Sequence, residues 1–397
     1  MWLCCQLGAR EHYAIPRALF RQGVLDQLAT DAWVLPGSPL AALSHALSER
    51  FHPDLTAARV RAWNSGLLAF ELAARLKRLS GWPLILARNH WFQRKVTSLL
   101  SGHQLSPLDS QPTLFSYSYT ALEPLRFAKS QGWKTVLGQI DPGPVEEEIA
   151  AAEAEREASL APDWRRAPAG YWKSWREECD VADWIIVNSQ WSLDALVQTG
   201  IPREKLSMIP LVFENNMPSV SPKEYPKQFT VTRPLRVLFL GQINLRKGIA
   251  RLLKAARAFQ SQPVEFLLVG PIQINIPKDL RSNQKLRWFG PVARSKIRNY
   301  YEQADVFILP TLSDGFALSQ LEALANRLPV ITSRQCGEVV IDHVNGLLLE
   351  EPTGAAIEEA LRACLHNPDQ LAKFSENATV GERFSLSYLG AKLCTFA

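Results

Sequence analysis

Hydrophobic and polar positions alternate in blocks that switch between two periods. In the second half, LRVLFL (235–240) is an apolar run ending at Gly241. After Lys247-Gly248, residues Ile249, Leu252, Leu253, Ala256 and Phe259 form an apolar stripe at helical spacing, so a strand, a turn and a helix are expected in that order. VEFLLVG (264–270), KLRWFG (285–290), DVFILP (305–310) and LPVIT (328–332) repeat the strand signal, with helical patterns near 293–303, 317–326 and 354–366. The first half follows the same grammar with longer excursions. WLCCQL (2–7), LIL (84–86), TLFSY, KTVLG (134–138) and WIIVNS (184–189) read as strands. Alternation of this kind predicts an α/β fold of two Rossmann-like, doubly wound domains facing a cleft, with ligands at the carboxyl ends of the strands.

Between the halves, residues 214–234 carry four prolines and no sustained apolar period, which marks a linker. The expected organisation is an acceptor-binding domain over 1–215, a linker over 216–234, a donor-binding domain over 235–376, and a helix over 377–397 that crosses back to the first domain. Two segments interrupt the alternation. Residues 143–159 hold six Glu against one Arg and read as an exposed helix with a solvated acidic face. In residues 65–81, Leu68, Leu72, Leu76 and Leu79 line one helical side beside Arg75, Lys77 and Arg78, and the stripe is expected to face the core.

Composition narrows the class. Of 397 residues, 47% are hydrophobic and 21% charged, which excludes disordered, collagenous and coiled-coil chains. The formal net charge of +5 permits contact with phosphates or anionic lipid without pointing to nucleic acid, and no nucleic-acid partner is expected. Six scattered cysteines lack metal-ligand spacing and predict reduced thiols. The start MWLCCQLGAR is too short an apolar run for a leader, and no stretch is long enough to span a bilayer. A cytoplasmic location is expected, with weak peripheral membrane contact suggested by the cationic excess over residues 51–100.

Chemistry concentrates in two windows. In residues 304–333 a strand ends at Pro310, a loop carries Asp314-Gly315-Phe316, and a helix starting at Ala317 and Leu318 places Glu322 on its second turn. Backbone N–H groups at such a helix start suit a phosphate, and the two carboxylates suit hydroxyl groups. In residues 235–253 a glycine turn leads to Lys247, a cation able to neutralise a diphosphate. Together these windows resemble the donor domain of the retaining, nucleotide-sugar-dependent GT-B glycosyltransferases of the group 1, family four type. The match is firm over about 235–350, including Gly337-Glu338-Val339-Val340 and Asn345-Gly346-Leu347, and looser over Gly8-Ala9-Arg10 and Asp183–Ser189.

The resemblance implies a glycosyltransferase that moves a sugar from a UDP- or GDP-linked donor to a saccharide, lipid-linked or small-molecule acceptor. It implies retention of configuration, no metal and no cofactor beyond the co-substrate. It assigns Lys247 to the diphosphate, Asp314 to the sugar and Glu322 to the ribose, with Gly241, Gln242, Arg246, Val292, Gly315, Phe316, Ala317 and Leu318 completing the donor site. The family's His-Asp position in the first domain is matched by Gln139-Ile140-Asp141, so Asp141 joins the catalytic set, and His12 joins it as a cleft residue after the first strand. Gln242 stands where the family has an arginine and Ala317 where it has glycine. Arg10 is expected to supply the missing cation from across the cleft, because Arg246 and Lys247 on a shared helix would diverge by about 100°. Readings that keep the diphosphate residues but not the transfer are a GT-B hydrolase, epimerase or phosphorylase, and a decayed nucleotide-sugar-binding protein. Trp164, Trp172 and Trp175 are weighed as core residues ahead of an acceptor platform.

Overall fold

The computed structural model describes residues 1–396 except 44, 103–110 and 215–219. Two parallel sheets are present. The first domain contributes β1 (Trp2–Gln6), β2 (Leu25–Thr30), β3 (Val60–Ala62), β4 (Thr113–Tyr117), β5 (Lys134–Gly138), β6 (Trp184–Val187) and β7 (Leu206–Met208), in the order β3-β2-β1-β4-β5-β6-β7. The second contributes β8 (Leu235–Leu240), β9 (Val264–Val269), β10 (Leu286–Gly290), β11 (Val306–Leu309), β12 (Val330–Ser333) and β13 (Gly346–Leu349), in the order β10-β9-β8-β11-β12-β13. The central strands β1, β4 and β11 are short and buried on both faces, as helices covering both sides of a parallel sheet require, while the edge strands β3, β7 and β10 are partly exposed. In each sheet the order reverses once, between β1 and β4 and between β8 and β11, and these switch points open toward the cleft.

The chain returns to the first domain at its far end. The helix Leu386–Leu393 packs Leu386, Leu389 and Leu393, with Phe396 beyond it, into the core that holds Trp2, Leu19 and Leu28. Within 216–234, Lys223 N–H donates to Ser375 Oγ at 2.7 Å, Tyr225 OH donates to the Asp305 carbonyl at 2.8 Å, and Phe229 is buried in the second core. These contacts fasten that stretch to the second domain.

Three expectations are corrected. LIL (84–86) is one turn of the helix Gly81–Ser101, whose Pro83 sits in the first turn, where a missing N–H costs nothing. The leucine stripe of the helix Asn64–Leu76 faces outward, with Leu68, Leu72 and Leu76 exposed at 38%, 61% and 78%. The acidic helix Pro144–Arg156 is no solvated face: Ala150, Ala151, Glu153 and Ala154 are buried, Ala154 within the core of the second domain. Glu153 accepts from Arg251 Nε and Nη2, both at 3.2 Å, and from Arg156 Nη1 at 2.8 Å, while Glu157 pairs with Lys254. The acidic run is one half of a domain clamp, and its basic partners lie about a hundred positions away.

Candidate functional site

The site grows from the turns that leave β8 and β11 at the second switch point. Gly248 has φ +75°, and a Cβ there would fall 1.8 Å from the Pro310 carbonyl oxygen, so glycine alone lets these turns meet. Leu312 N–H and Thr311 Oγ1 both donate to the Arg246 carbonyl, at 2.8 and 3.2 Å, and Lys247 N–H donates to Asn244 Oδ1 at 3.0 Å. Lys247 Nζ thereby contacts the Asp314 carboxylate, each side chain only 13% exposed. Arg246 Nη1 donates to the Ser313 carbonyl at 2.8 Å and lies 3.9 Å from Asp314 Oδ1. The expected divergence of Arg246 from Lys247 is therefore overturned. The helix begins only at Ile249, both residues belong to the preceding turn, and both reach Asp314.

Electrostatics tighten this centre. Burial, then the Arg246 guanidinium, press the Lys247 ammonium down to about 7, and the Glu146 carboxylate works the other way. The first domain adds Glu146, whose Oε2 accepts from Ser313 Oγ at 3.1 Å and lies 3.4 Å from Arg246 Nη1. Burial raises Glu146 to about 7, with Arg246 opposing. Trp191 Nε1 donates to Ser313 Oγ at 3.0 Å from the same side. Glu146 and Trp191 were not singled out in the sequence, because nothing local ties them to a loop more than a hundred residues on.

The loop after β11 is held equally closely. A Cβ on Gly315 would lie 2.4 Å from the Ile140 carbonyl oxygen and 2.9 Å from Asn188 Nδ2, so this loop is a contact point between the domains. Phe316 points into the core against Gly337 and Phe384, and its N–H donates to Asp314 Oδ1 at 3.4 Å. Ala317 has φ +66°, a left-handed conformation that suits glycine. Helix proper starts at Ser319, two residues later than expected. Glu322 accepts from Tyr301 OH at 2.7 Å and makes no contact with Lys247 or Asp314 among the described residues. It faces a pocket of about 540 Å³ with Arg294, Ile297 and Tyr301. Val292 is half-buried in the loop leading to that pocket, Gly241 is half-exposed, and Gln242 is exposed in the turn after β8.

The first domain meets this site with the loop after β1. Glu11, His12 and Tyr13 take φ of 51°, 49° and 61°, three consecutive left-handed residues that are not glycine, a strain of roughly 1–3 kcal/mol each. His12 Nε2 lies 2.7 Å from Arg294 Nη1, at the rim of the Glu322 pocket. A guanidinium only donates, so this ring nitrogen accepts, and burial, then Arg294, lowers the His12 pKa. Arg10 is exposed, sits 5.3 Å from the Tyr117 ring centroid, and shares a cleft of about 550 Å³ with Arg50, Asn188 and Leu318. Arg10 makes no contact with Lys247 or Asp314 among the described residues. Arg50, unnoticed in the sequence, lies against Gly8, where a Cβ would be 2.5 Å from its Nη1, and pairs with Asp31 at 3.3 Å.

Asp141 is fixed rather than free. Its Oδ1 accepts from Tyr119 OH at 2.6 Å, Gly143 N–H at 2.9 Å and Gln139 Nε2 at 3.1 Å, and Gln139 Oε1 accepts from Trp175 Nε1 at 3.0 Å. Trp175 and Trp172 pack in the first-domain core and Trp164 against the second, so none is a free platform. Among the described residues, no three His, Cys, Asp or Glu side chains are grouped to hold a metal.

Comparison with known proteins bears on this arrangement. Residues 221–380 match the family model described as glycosyl transferases group 1. The chain is 26% identical over 183 residues to the amylovoran biosynthesis glycosyltransferase AmsK of Erwinia amylovora, covering 42% of this chain and 43% of that one. It is 29% identical over 160 residues to D-inositol 3-phosphate glycosyltransferase 2 of Catenulispora acidiphila, covering 36% and 38%. The matches thus span less than half the length of these curated relatives. In fold, the chain is similar to Anabaena Alr3699/HepE in complex with UDP, with a TM-score of 0.62 at 15% identity over 100% of this chain and 99% of that one. It is also similar to sucrose-phosphate synthase of Thermosynechococcus elongatus, with a TM-score of 0.66 at 17% identity over 99% and 97%.

Proposed function

We propose that this chain, whose residues 221–380 match the group 1 glycosyl transferase model and whose two-domain fold is similar to that of HepE, transfers a glycosyl group from a nucleotide-diphosphate sugar to an acceptor held over the first domain. The observation that carries the reading is the convergence of Lys247, Arg246 and Asp314 at the β8/β11 switch point, inside the segment that matches the family. Two cations and a carboxylate meet where an open sheet binds ligands. The diphosphate displaces Asp314 from Lys247, and Asp314 is then free to accept hydrogen bonds from the sugar.

The acceptor hydroxyl oxygen bonds to the anomeric carbon as the bond from that carbon to the β-phosphate oxygen breaks. The electron pair leaves with the diphosphate, and the acceptor proton passes to that leaving oxygen on the same face, so configuration is retained. Lys247 and Arg246 stabilise the charge that builds there. Glu322 and the pocket beside Arg294 receive the nucleoside half. The UDP and UDP-glucose held by HepE in its complexes favour a nucleotide donor of this type here.

The test incubates purified protein with a panel of UDP- and GDP-sugars and a metabolite extract as acceptor source. Diphosphate release that needs the extract, with an α-configured donor giving an α-linked product by NMR, is the expected result. Release without the extract identifies a hydrolase instead. No release, together with no thermal stabilisation by any nucleotide, overturns the proposal.

A further inference from the structure

We propose that the helical hairpin Asn64–Leu76 and Gly81–Ser101 seats the first domain on an anionic lipid bilayer. The hairpin root is ordinary core. Leu67, Phe92, Val96 and Leu100 are buried, Phe70 packs on Trp91 at 5.6 Å, and Glu71 pairs with Arg88 at 2.6 Å. Its tip is different. Leu72 and Leu76 on the first helix and Ile85 on the second are exposed at 61%, 78% and 40%, in a protein whose other leucines mostly lie inside, while Leu86 turns toward a cavity it lines with His90 and Tyr171.

Charge separates this tip from an incidental apolar patch. Residues 72–88 contain Arg75, Lys77, Arg78 and Arg88 and no Asp or Glu. Arg88 is held by Glu71, while Arg75, Lys77 and Arg78 are exposed and pair with no carboxylate among the described residues. Leu68, Leu72 and Leu76 recur every four residues on one side of the helix, and Arg75 and Lys77 flank the last of them. Leucines with cations interleaved on the exposed end of a helix are the features of a segment that lies in a lipid headgroup layer. Trp82, half-buried at the start of the second helix, packs edge-on against Tyr171 at 4.9 Å and donates from Nε1 to the Arg165 carbonyl at 3.4 Å, which fixes the hairpin end to the domain.

The same charge argues against the alternatives. A second copy docking by its own tip would set Arg75, Lys77 and Arg78 against their duplicates with no acid between them. A bilayer bearing anionic headgroups meets both demands at once, taking the leucines below and the cations at its surface. No helix among the described residues is long and apolar enough to cross a membrane, so the contact is peripheral.

The experiment is co-sedimentation of the full chain with vesicles of phosphatidylcholine alone or with a third phosphatidylglycerol, at low and high salt. Binding to the phosphatidylglycerol vesicles at low salt, weakened at high salt, is expected. Arg75→Gln with Lys77→Gln and Arg78→Gln should lower partitioning about 100-fold. Leu72→Ser with Leu76→Ser and Ile85→Ser should lower it at least about tenfold. All six positions are exposed or flank exposed turns, so melting temperature should not move, and a circular-dichroism melt checks that. Three results would overturn the proposal: no preference for phosphatidylglycerol, a leucine variant that binds as well as the parent, or a leucine variant that turns a dimer into a monomer in equilibrium sedimentation. The last would assign the face to a second copy.

Discussion

Removing the ammonium of Lys247 separates two roles that the geometry superimposes, holding Asp314 and holding a diphosphate. In Lys247→Ala the nearest remaining cation to Asp314 is Arg246, 3.9 Å away, and the carboxylate is 13% exposed. Breaking a buried pair by deleting one partner costs roughly 3–5 kcal/mol, and Arg246 with residual solvent brings this to about 2–3 kcal/mol. At about 2–4 °C per kcal/mol for a domain of this size, the melting temperature should fall by roughly 5–10 °C. Adding Asp314→Asn removes the stranded charge and should restore stability to within about 1 kcal/mol. Donor affinity behaves differently. Loss of a charge-assisted contact worth about 1.5–3 kcal/mol weakens nucleotide-diphosphate binding about 10- to 100-fold, and the double variant should stay as weak as the single one. Asp314→Asn alone should bind the free diphosphate more tightly than the parent, because Lys247 no longer has to leave a carboxylate. Calorimetric titration with nucleoside diphosphates and a thermal melt read both quantities on the same four proteins. Recovery of affinity in the double variant would refute the reasoning, since Lys247 would then serve only to neutralise Asp314.

Four further outcomes follow from other parts of the molecule. Ala317→Gly relaxes a residue held at φ +66° and should stabilise the second domain by roughly 0.5–1 kcal/mol, whereas a loss of that size in a denaturant melt would show that the methyl contact outweighs the strain. Glu153→Gln removes the charge that two arginines share and should shift the closed-to-open equilibrium about tenfold toward open, seen as a larger radius of gyration by small-angle scattering. Glu178 is raised by burial from 4.5 to about 7 despite three backbone N–H donors, so its folded pKa lies above its unfolded one and its contribution to stability is lost as pH rises from about 4.5 through 7; Glu178→Gln, which does not titrate, should gain on the parent across that window, and parallel melting curves at pH 5 and 8 would contradict this. Transfer should persist in EDTA, because Lys247 and Arg246 are cast as the stabilising charge; loss that magnesium or manganese restores would reassign that role.

Central strands were legible because a buried parallel strand is a nearly continuous apolar run, as β8, β9 and β11 are, whereas β2 with its Asp26 and Gln27 and the three-residue β3 and β7 gave no such run and were missed, as was the four-residue β13. LIL failed because three apolar residues fill one helical turn as readily as half a strand, and only the 21-residue helix around them decides. Lys247, Arg246 and Asp314, which the structure brings together, were readable because they lie within two short windows. What joins those windows was not: Gly248 against Pro310, and Gly315 against Ile140 and Asn188, are close approaches between segments far apart in sequence. Periodicity can report that a helix has an apolar or acidic side, but not which way that side faces. The outward stripe of Leu72 and Leu76 and the inward face of Glu153 were both misjudged for that reason. The position of Arg246 turned on two residues of helix start, within the margin at which helix boundaries blur.

The return of Leu386–Leu393 to the first domain bears on how the protein is made. Trp2, Leu19 and Leu28 share a core with Leu386, Leu389, Leu393 and Phe396, so the amino-terminal domain lacks one wall until residue 396 has been translated. During synthesis the second domain, whose core draws on Ala154, Leu160 and residues 229–384, can close first. The ordinary order of vectorial folding, in which the leading domain is finished before the next begins, is therefore inverted here. A nascent chain stalled between the two domains carries an open apolar flank, and that intermediate is the one most dependent on chaperones.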